Sequence, residues 1–226
     1  MPTAIVTGAS RGLGLELTRA LVARGRRVVV DSRDHDALGR AWSGVHGVVT
    51  VAGDIADPAH RLALVEAAGR DIDLVVNNAS ILGPSPLPPL AEYPLQELRR
   101  VFEVNVLGPL GLIQLAMPWL SPGARILDIT SDAAVEAYEG WGGYGSSKAA
   151  LEQLTSVLAA ERPDLSIYTV DPGDMRTQMH QDAFPGEDIS DRPLPEESIP
   201  GLLELIEGDL PSGRYRARDL PLRAAA

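Results

Sequence analysis

The 226-residue chain contains no cysteine. Disulfide scaffolds, thiolate nucleophiles and cysteine-ligated metals are therefore excluded. Aromatic residues make up only 4% of the chain, so any aromatic-lined surface must gather the few it has. Positive charge is scarce too: 20 Lys and Arg stand against 31 Asp and Glu, a formal net charge of -11. That balance argues against a general nucleic-acid or membrane-surface binder, since both need basic patches. It leaves room for an anionic ligand held by local donors. No apolar run approaches the ~18 to 20 residues of a membrane span. Met1-Pro2-Thr3 leads straight into an apolar strand, without the charged segment, apolar run and cleavage site of a secretory signal. A cytoplasmic protein is expected. His35, His46, His60 and His180 lack metal-ligand spacing, and no metal site is expected.

What the sequence does have is alternation. Short apolar strands are expected at Ala4–Val6, Val28–Val30, Val48–Val51, Leu74–Val76, Ile126–Ile129 and Ile167–Val170. Helical spacing appears at Leu13–Arg24, His60–Gly69, Pro94–Trp119 and Tyr144–Glu161, the last stopped by Arg162-Pro163. Strands apolar on both faces, alternating with helices, imply a parallel sheet covered on both sides. Right-handed crossovers then give an α/β, Rossmann-type, doubly wound fold. One domain over residues 1–226 is expected, with the acidic, proline-bearing segment 178–200 as a candidate substrate lid. A short helix at Leu202–Ile206 and a last strand at Arg214–Arg218 follow, and Ala224–Ala226 is expected to fray.

Polar and glycine-rich residues recur after the strand ends, where such sheets bind ligands. The first group is TGASRGLG, residues 7–14, between the first strand and the first helix. Gly8 permits a tight turn, Gly12 lets a pyrophosphate approach the backbone, and Gly14 lets the helix pack on the sheet. Gly8, Ser10, Arg11, Gly12, Leu13 and Gly14 thus form a candidate phosphate cradle at a helix N-terminus. The P-loop lysine is missing, which argues against nucleotide hydrolysis. The second group is Tyr144 and Lys148, four apart on one helix face. A free phenol ionises near pH 10, and a nearby ammonium lowers that value, making a plausible acid/base catalyst. Ser131 closes the fifth strand, and Asn105 sits inside a long helix where an amide needs a partner. Each also has a bland reading, as a turn residue and a satisfied amide.

Taken together, these motifs resemble the short-chain dehydrogenase/reductase family, of the carbonyl-reductase and 3-oxoacyl-reductase kind. The resemblance rests on TGASRGLG (7–14), Asp54-Ile55, NNAS (77–80), Asn105-Val106-x-Gly108, Ser131, YGSSK (144–148) and PGDMRT (172–177), in the family's order and spacing. It implies Tyr144 as general acid/base. Lys148 would depress the Tyr144 pKa and hold the nicotinamide ribose. Ser131 would orient the substrate oxygen, and Asn105 would support a water-linked proton path. Asp54 and Ile55 would border the adenine, Asn78 and Ala79 would line the cofactor cleft, and Pro172, Gly173 and Thr177 would sit by the carboxamide. Two departures stand out: Ser80 replaces the usual glycine after NNA, and Asp128 replaces an amide often seen in strand five.

At the end of strand two, Asp31 offers a carboxylate for the ribose hydroxyls of NAD(H). Ser32-Arg33 follows, and in relatives a serine–arginine pair goes with NADP(H). Arg33 and Arg11 would clamp a 2′-phosphate, unless both are merely solvated surface charge. NADP(H) is favoured over NAD(H). Tyr138 and Trp141 are candidates for a substrate wall or for loop packing, and Met175 and Met179 for the pocket mouth. The expected activity is hydride transfer between NADP(H) and a small carbonyl or alcohol, and the resemblance implies a homodimer or homotetramer built through 94–119 and 144–161. The alternative is a non-catalytic NADP(H)-binding redox sensor.

Overall fold

The computed structural model describes residues 1–220, so the fraying expected at Ala224–Ala226 lies outside the described residues. Seven parallel strands form one sheet: β1 (Thr3–Val6), β2 (Arg27–Ser32), β3 (Val48–Ala52), β4 (Ile72–Asn77), β5 (Leu120–Ile129), β6 (Ser166–Asp171) and β7 (Gly213–Arg216). Their spatial order is β3-β2-β1-β4-β5-β6-β7. The chain therefore winds outward from β1 in one direction and then, from β4, in the other. That reversal opens a crevice beyond the carboxyl ends of β1 and β4, which pair near those ends at Val6↔Val76.

Alternation along each strand sends side chains to the two faces of the sheet. Ala4, Val6, Val28 and Val30 pack with Leu13, Leu17 and Leu21 of α1 (Gly12–Ala23) and with Leu38 and Trp42 of α2 (His35–Trp42). Leu202, Leu205 and Ile206 of α8 (Ile199–Glu207) complete that face. Ile5, Val29 and Val75 point the other way, against Leu64 and Val65 of α3 (Pro58–Ala68) and Leu112 of α5 (Gly108–Ala116).

Several elements differ from the sequence reading. The helix α2 was not expected; its signal is Asp34, which caps it by accepting the Ala37 N–H at 2.9 Å. Asp57 caps α3 in the same way, with Pro58 at its first position. The single helix expected over Pro94–Trp119 is broken into α4 (Leu95–Phe102), a π-helical turn (Glu103–Leu107), α5 and a short 3₁₀ turn. By length and a mean hydropathy of 1.4, Leu95–Trp119 would pass for a membrane span, contrary to the count of apolar runs, but half of the most apolar window is buried inside the fold. The 20-residue α6 (Gly142–Glu161) starts two residues before Tyr144.

Candidate active site

The loop after β1 and the loop after β4 lock together. Gly8 adopts φ +69°, and a Cβ there would lie 2.8 Å from the Ala79 Cα. Asn78 Nδ2 donates to the carbonyls of Thr7 (2.7 Å) and Gly8 (3.1 Å). A Cβ on Gly14 would come within 2.5 Å of that same nitrogen. Thr7 Oγ1 accepts the backbone N–H groups of Asn78 and Ala79, both at 3.0 Å. Asn78 and Ala79 therefore hold the glycine loop from behind while lining the cleft in front. Ser10, Arg11, Gly12 and Leu13 line the same cleft at the start of α1, where no side chain caps the helix.

Asp31 has a different task from ribose binding. Its Oδ1 accepts the Gly8 N–H at 2.6 Å, and its Oδ2 lies 2.9 Å from His60 Nε2. With 2% exposure and a partner on each oxygen, it braces the turn from the cleft wall. Ser32 and Arg33 reach the cleft instead. Ser32 Oγ accepts from Ser10 Oγ at 2.9 Å. Arg11 and Arg33 are exposed at the rim, and among the described residues neither is in a salt bridge. Asp54 and Ile55 border the next part of the cleft. Burial raises the Asp54 pKa, but the Ala56 N–H, a bond from Arg100 and the Arg33 charge outweigh it and hold the carboxyl below its ordinary range.

At the far end, β5, α6 and β6 converge. Tyr144 is 8% exposed, with Lys148 Nζ 5.5 Å from its ring centre. Lys148 Nζ donates to the Ile129 carbonyl at 2.8 Å. Burial lowers its pKa to about 8, opposed by Asp128 and Glu152. Burial, then Asp171 and Asp132, push the Tyr144 phenol well above its ordinary value, with Ser80 opposing. The protein's own charges therefore do not produce the depressed phenol expected from the tyrosine–lysine spacing. Ser131 Oγ donates to Asp132 Oδ1 at 2.9 Å and caps the short turn after β5 by accepting the Ala133 N–H. Asp128 lies beneath, fully buried, accepting from Asn77 (2.7 Å) and Thr155 (2.6 Å), and burial raises its pKa.

Asn105 stands behind the cleft wall. It sits in the π-helical turn and is wholly buried. Its Oδ1 accepts the Ile81 N–H and its Nδ2 donates to the Ile81 carbonyl, both at 2.9 Å, and to Ser147 Oγ at 3.0 Å. The side chain is thus a satisfied amide that fixes the segment after NNAS.

Trp141 lies edge-on to Tyr144 (5.8 Å between centroids) and against Phe184 (6.0 Å), and lines the cleft. Met175 and Met179 line it too. Tyr138 does not: it is 43% exposed, and its hydroxyl is tied to Glu136 (2.9 Å) and Asp132 (3.1 Å). Pro172, Gly173 and Thr177 lie along the cleft, with Thr177 capping α7 (Gln178–Ala183). The segment 178–200 forms α7, a loop and the start of α8, tied down where Ser198 Oγ donates to the Pro172 carbonyl at 2.7 Å. Sequence reasoning missed Asp132, Asp171 and Asp174 as lining residues. Asp132 and Asp171 were legible as neighbours of Ser131 and Pro172.

The short chain dehydrogenase family model matches residues 2–188. The chain belongs to the short-chain dehydrogenase/reductase family. It is an oxidoreductase of that family, whose members act on small molecules. Among relatives, it is 32% identical over 193 residues to a benzil reductase ((S)-benzoin forming) of Saccharomyces cerevisiae, covering 79% of this chain and 73% of that one. It is 36% identical over 189 residues to a 1-deoxy-11-beta-hydroxypentalenate dehydrogenase of Streptomyces avermitilis, covering 78% and 70%. A short chain dehydrogenase from Shigella flexneri complexed with NADP superposes with a TM-score of 0.88 at 26% identity, covering 96% and 97%. One from Escherichia coli complexed with NADPH gives 0.88 at 27%, covering 96% of each chain. For this dehydrogenase/reductase, the cleft of about 520 Å³ fits a dinucleotide: close-approach glycines lie at one end, a phenol and a buried ammonium at the other.

Proposed function

We propose that this enzyme transfers a hydride between NADP(H) and the carbonyl or alcohol carbon of an uncharged, largely apolar small molecule. The carrying observation is that Tyr144, Ser131 and Lys148 meet at one end of the cleft whose other end is the glycine loop. NADP(H), when bound, supplies or takes the hydride; the chain supplies position and a proton. The glycine loop and the start of α1 hold the pyrophosphate. Ser32, Arg33 and Arg11 hold the 2′-phosphate, while Asp31 is buried and engaged by Gly8 and His60. Lys148 holds the nicotinamide ribose. Ser131 turns from Asp132 to the substrate oxygen, and Tyr144 exchanges the proton there. Trp141, Met175, Met179 and Leu82 give the substrate an apolar wall.

The segment 178–200 contributes Gln178, Met179, His180, Leu194, Pro195 and Glu196 to the cleft, which supports a lid over bound substrate. Exposed Leu107, Leu154 and Val157 support a homodimer or homotetramer. The test of the function is titration with NADPH and NADH, followed by a carbonyl panel that includes benzil. Tighter NADPH binding with oxidation on an apolar carbonyl is the expected result. NADH preference would return selection to Asp31, and binding without turnover on any carbonyl would favour a redox sensor.

A further inference from the structure

We propose that Ser80 is a positioning residue for Tyr144: its unpartnered hydroxyl turns to donate a hydrogen bond to the phenol oxygen when negative charge develops there. The proposal rests on Tyr144 as the proton-exchanging group. Ser80 lines the cleft together with Tyr144. Its Oγ is shielded from solvent and has no hydrogen-bond partner among the described residues. A buried hydroxyl without a partner costs stability, and the group within its reach is the Tyr144 phenol, whose ionisation it favours.

The backbone on both sides of Ser80 is fixed. Ala79 N–H is held by Thr7 Oγ1, and both backbone groups of Ile81 are clamped by Asn105. The hydroxyl is therefore carried on a rigid stem, as preorganised electrostatics requires. It also answers a specific imbalance. Asp132, after β5, and Asp171, ending β6, both disfavour a phenolate at Tyr144. Lys148, on the same helix, is turned to the Ile129 carbonyl. Asp174 and His180 line the cleft from the segment that leads into and forms α7. Among these groups Ser80 is the one that opposes the rise. Asn105 thereby gains a role through Ile81, without touching the reacting atoms.

The test is ultraviolet titration of the phenolate, with Tyr144 isolated by subtracting the Tyr144→Phe curve, on the protein alone and with NADP⁺. Ser80→Ala, subtracted against Ser80→Ala/Tyr144→Phe, is expected to titrate about one pH unit higher, a roughly tenfold weaker acid. Ser80→Thr, which keeps the hydroxyl, should stay with the wild type. NADPH affinity should be unchanged in both single variants. Coincident Ser80→Ala and wild-type curves would overturn the proposal, as would Ser80→Thr moving with Ser80→Ala. In alcohol oxidation, with benzoin as probe, the rising limb of the pH–rate profile should shift upward by the same amount. Absence of any turnover would count against hydride transfer by this enzyme, while the titration would still decide the role of Ser80.

Discussion

The two ends of the cleft are built on different terms. At the glycine-loop end the protein satisfies itself: Gly8 N–H is held by Asp31, Asp31 by His60, and Asn78 by two loop carbonyls. At the tyrosine end the polar groups are provisional. Ser80 Oγ has no hydrogen-bond partner among the described residues, Ser131 leans on an adjacent aspartate, and the Tyr144 phenol is pushed toward neutrality. The first end is a finished surface, which on the proposed function receives the cofactor. On the proposed function the second is left incomplete because a proton exchanger must be able to change partners.

The largest expected effect breaks the finished end. Asp31→Ala leaves Gly8 N–H and His60 buried without their carboxylate and should cost about 3 to 5 kcal/mol of stability, read by denaturant midpoint. A stable variant with altered NADH preference would instead make Asp31 a ligand-facing group.

Lys148→Met probes the other end and should show the opposite sign. The folded-state pKa is lowered from 10.5 to about 8, so below about pH 8 the ammonium is charged in both states and its burial opposes folding. Between about pH 8 and 10.5 the folded protein sheds that proton first, and the penalty fades. The variant should therefore gain on the order of 2 to 3 kcal/mol below pH 8, shrinking toward pH 10.5, while losing turnover. A thermal-melt series against pH checks this; a stability loss at pH 7 would contradict it.

Arg33→Ala sharpens the contrast within the cofactor end. NADPH affinity should fall about 10- to 100-fold, with NADH nearly unaffected, as measured by fluorescence titration. The smallest effect is expected for Tyr138→Phe, less than about twofold on turnover, because this ring lies outside the cleft wall.

The finished end was the more legible in sequence. Backbone requirements mark residues strongly: the TGASRGLG loop and the strands around it were readable from glycines and apolar runs, and NNAS from the family resemblance. What escaped there was Asp31, because the sequence could not show that His60, 29 positions away, closes on it. At the other end, Tyr144, Lys148 and Ser131 were readable, yet their electrostatics were not. The phenol's environment depends on Asp132 and Asp171, from different strands, and on where Lys148 Nζ points. Asn105 shows the same limit: a mid-helix amide signalled a partner, but not that the partner is Ile81. The break in the long helix was hidden too, since a π-helical turn leaves the apolar composition unchanged.

The central claim is that the tyrosine end carries the chemistry while the glycine-loop end carries the cofactor. The most direct measurement compares wild type and Tyr144→Phe in stopped-flow oxidation of bound NADPH, using the carbonyl on which the wild type is fastest, alongside NADPH binding isotherms. The account predicts matching isotherms and an oxidation rate reduced by about 10²- to 10⁴-fold. Matching rates, or a loss explained by weaker NADPH binding, would contradict it.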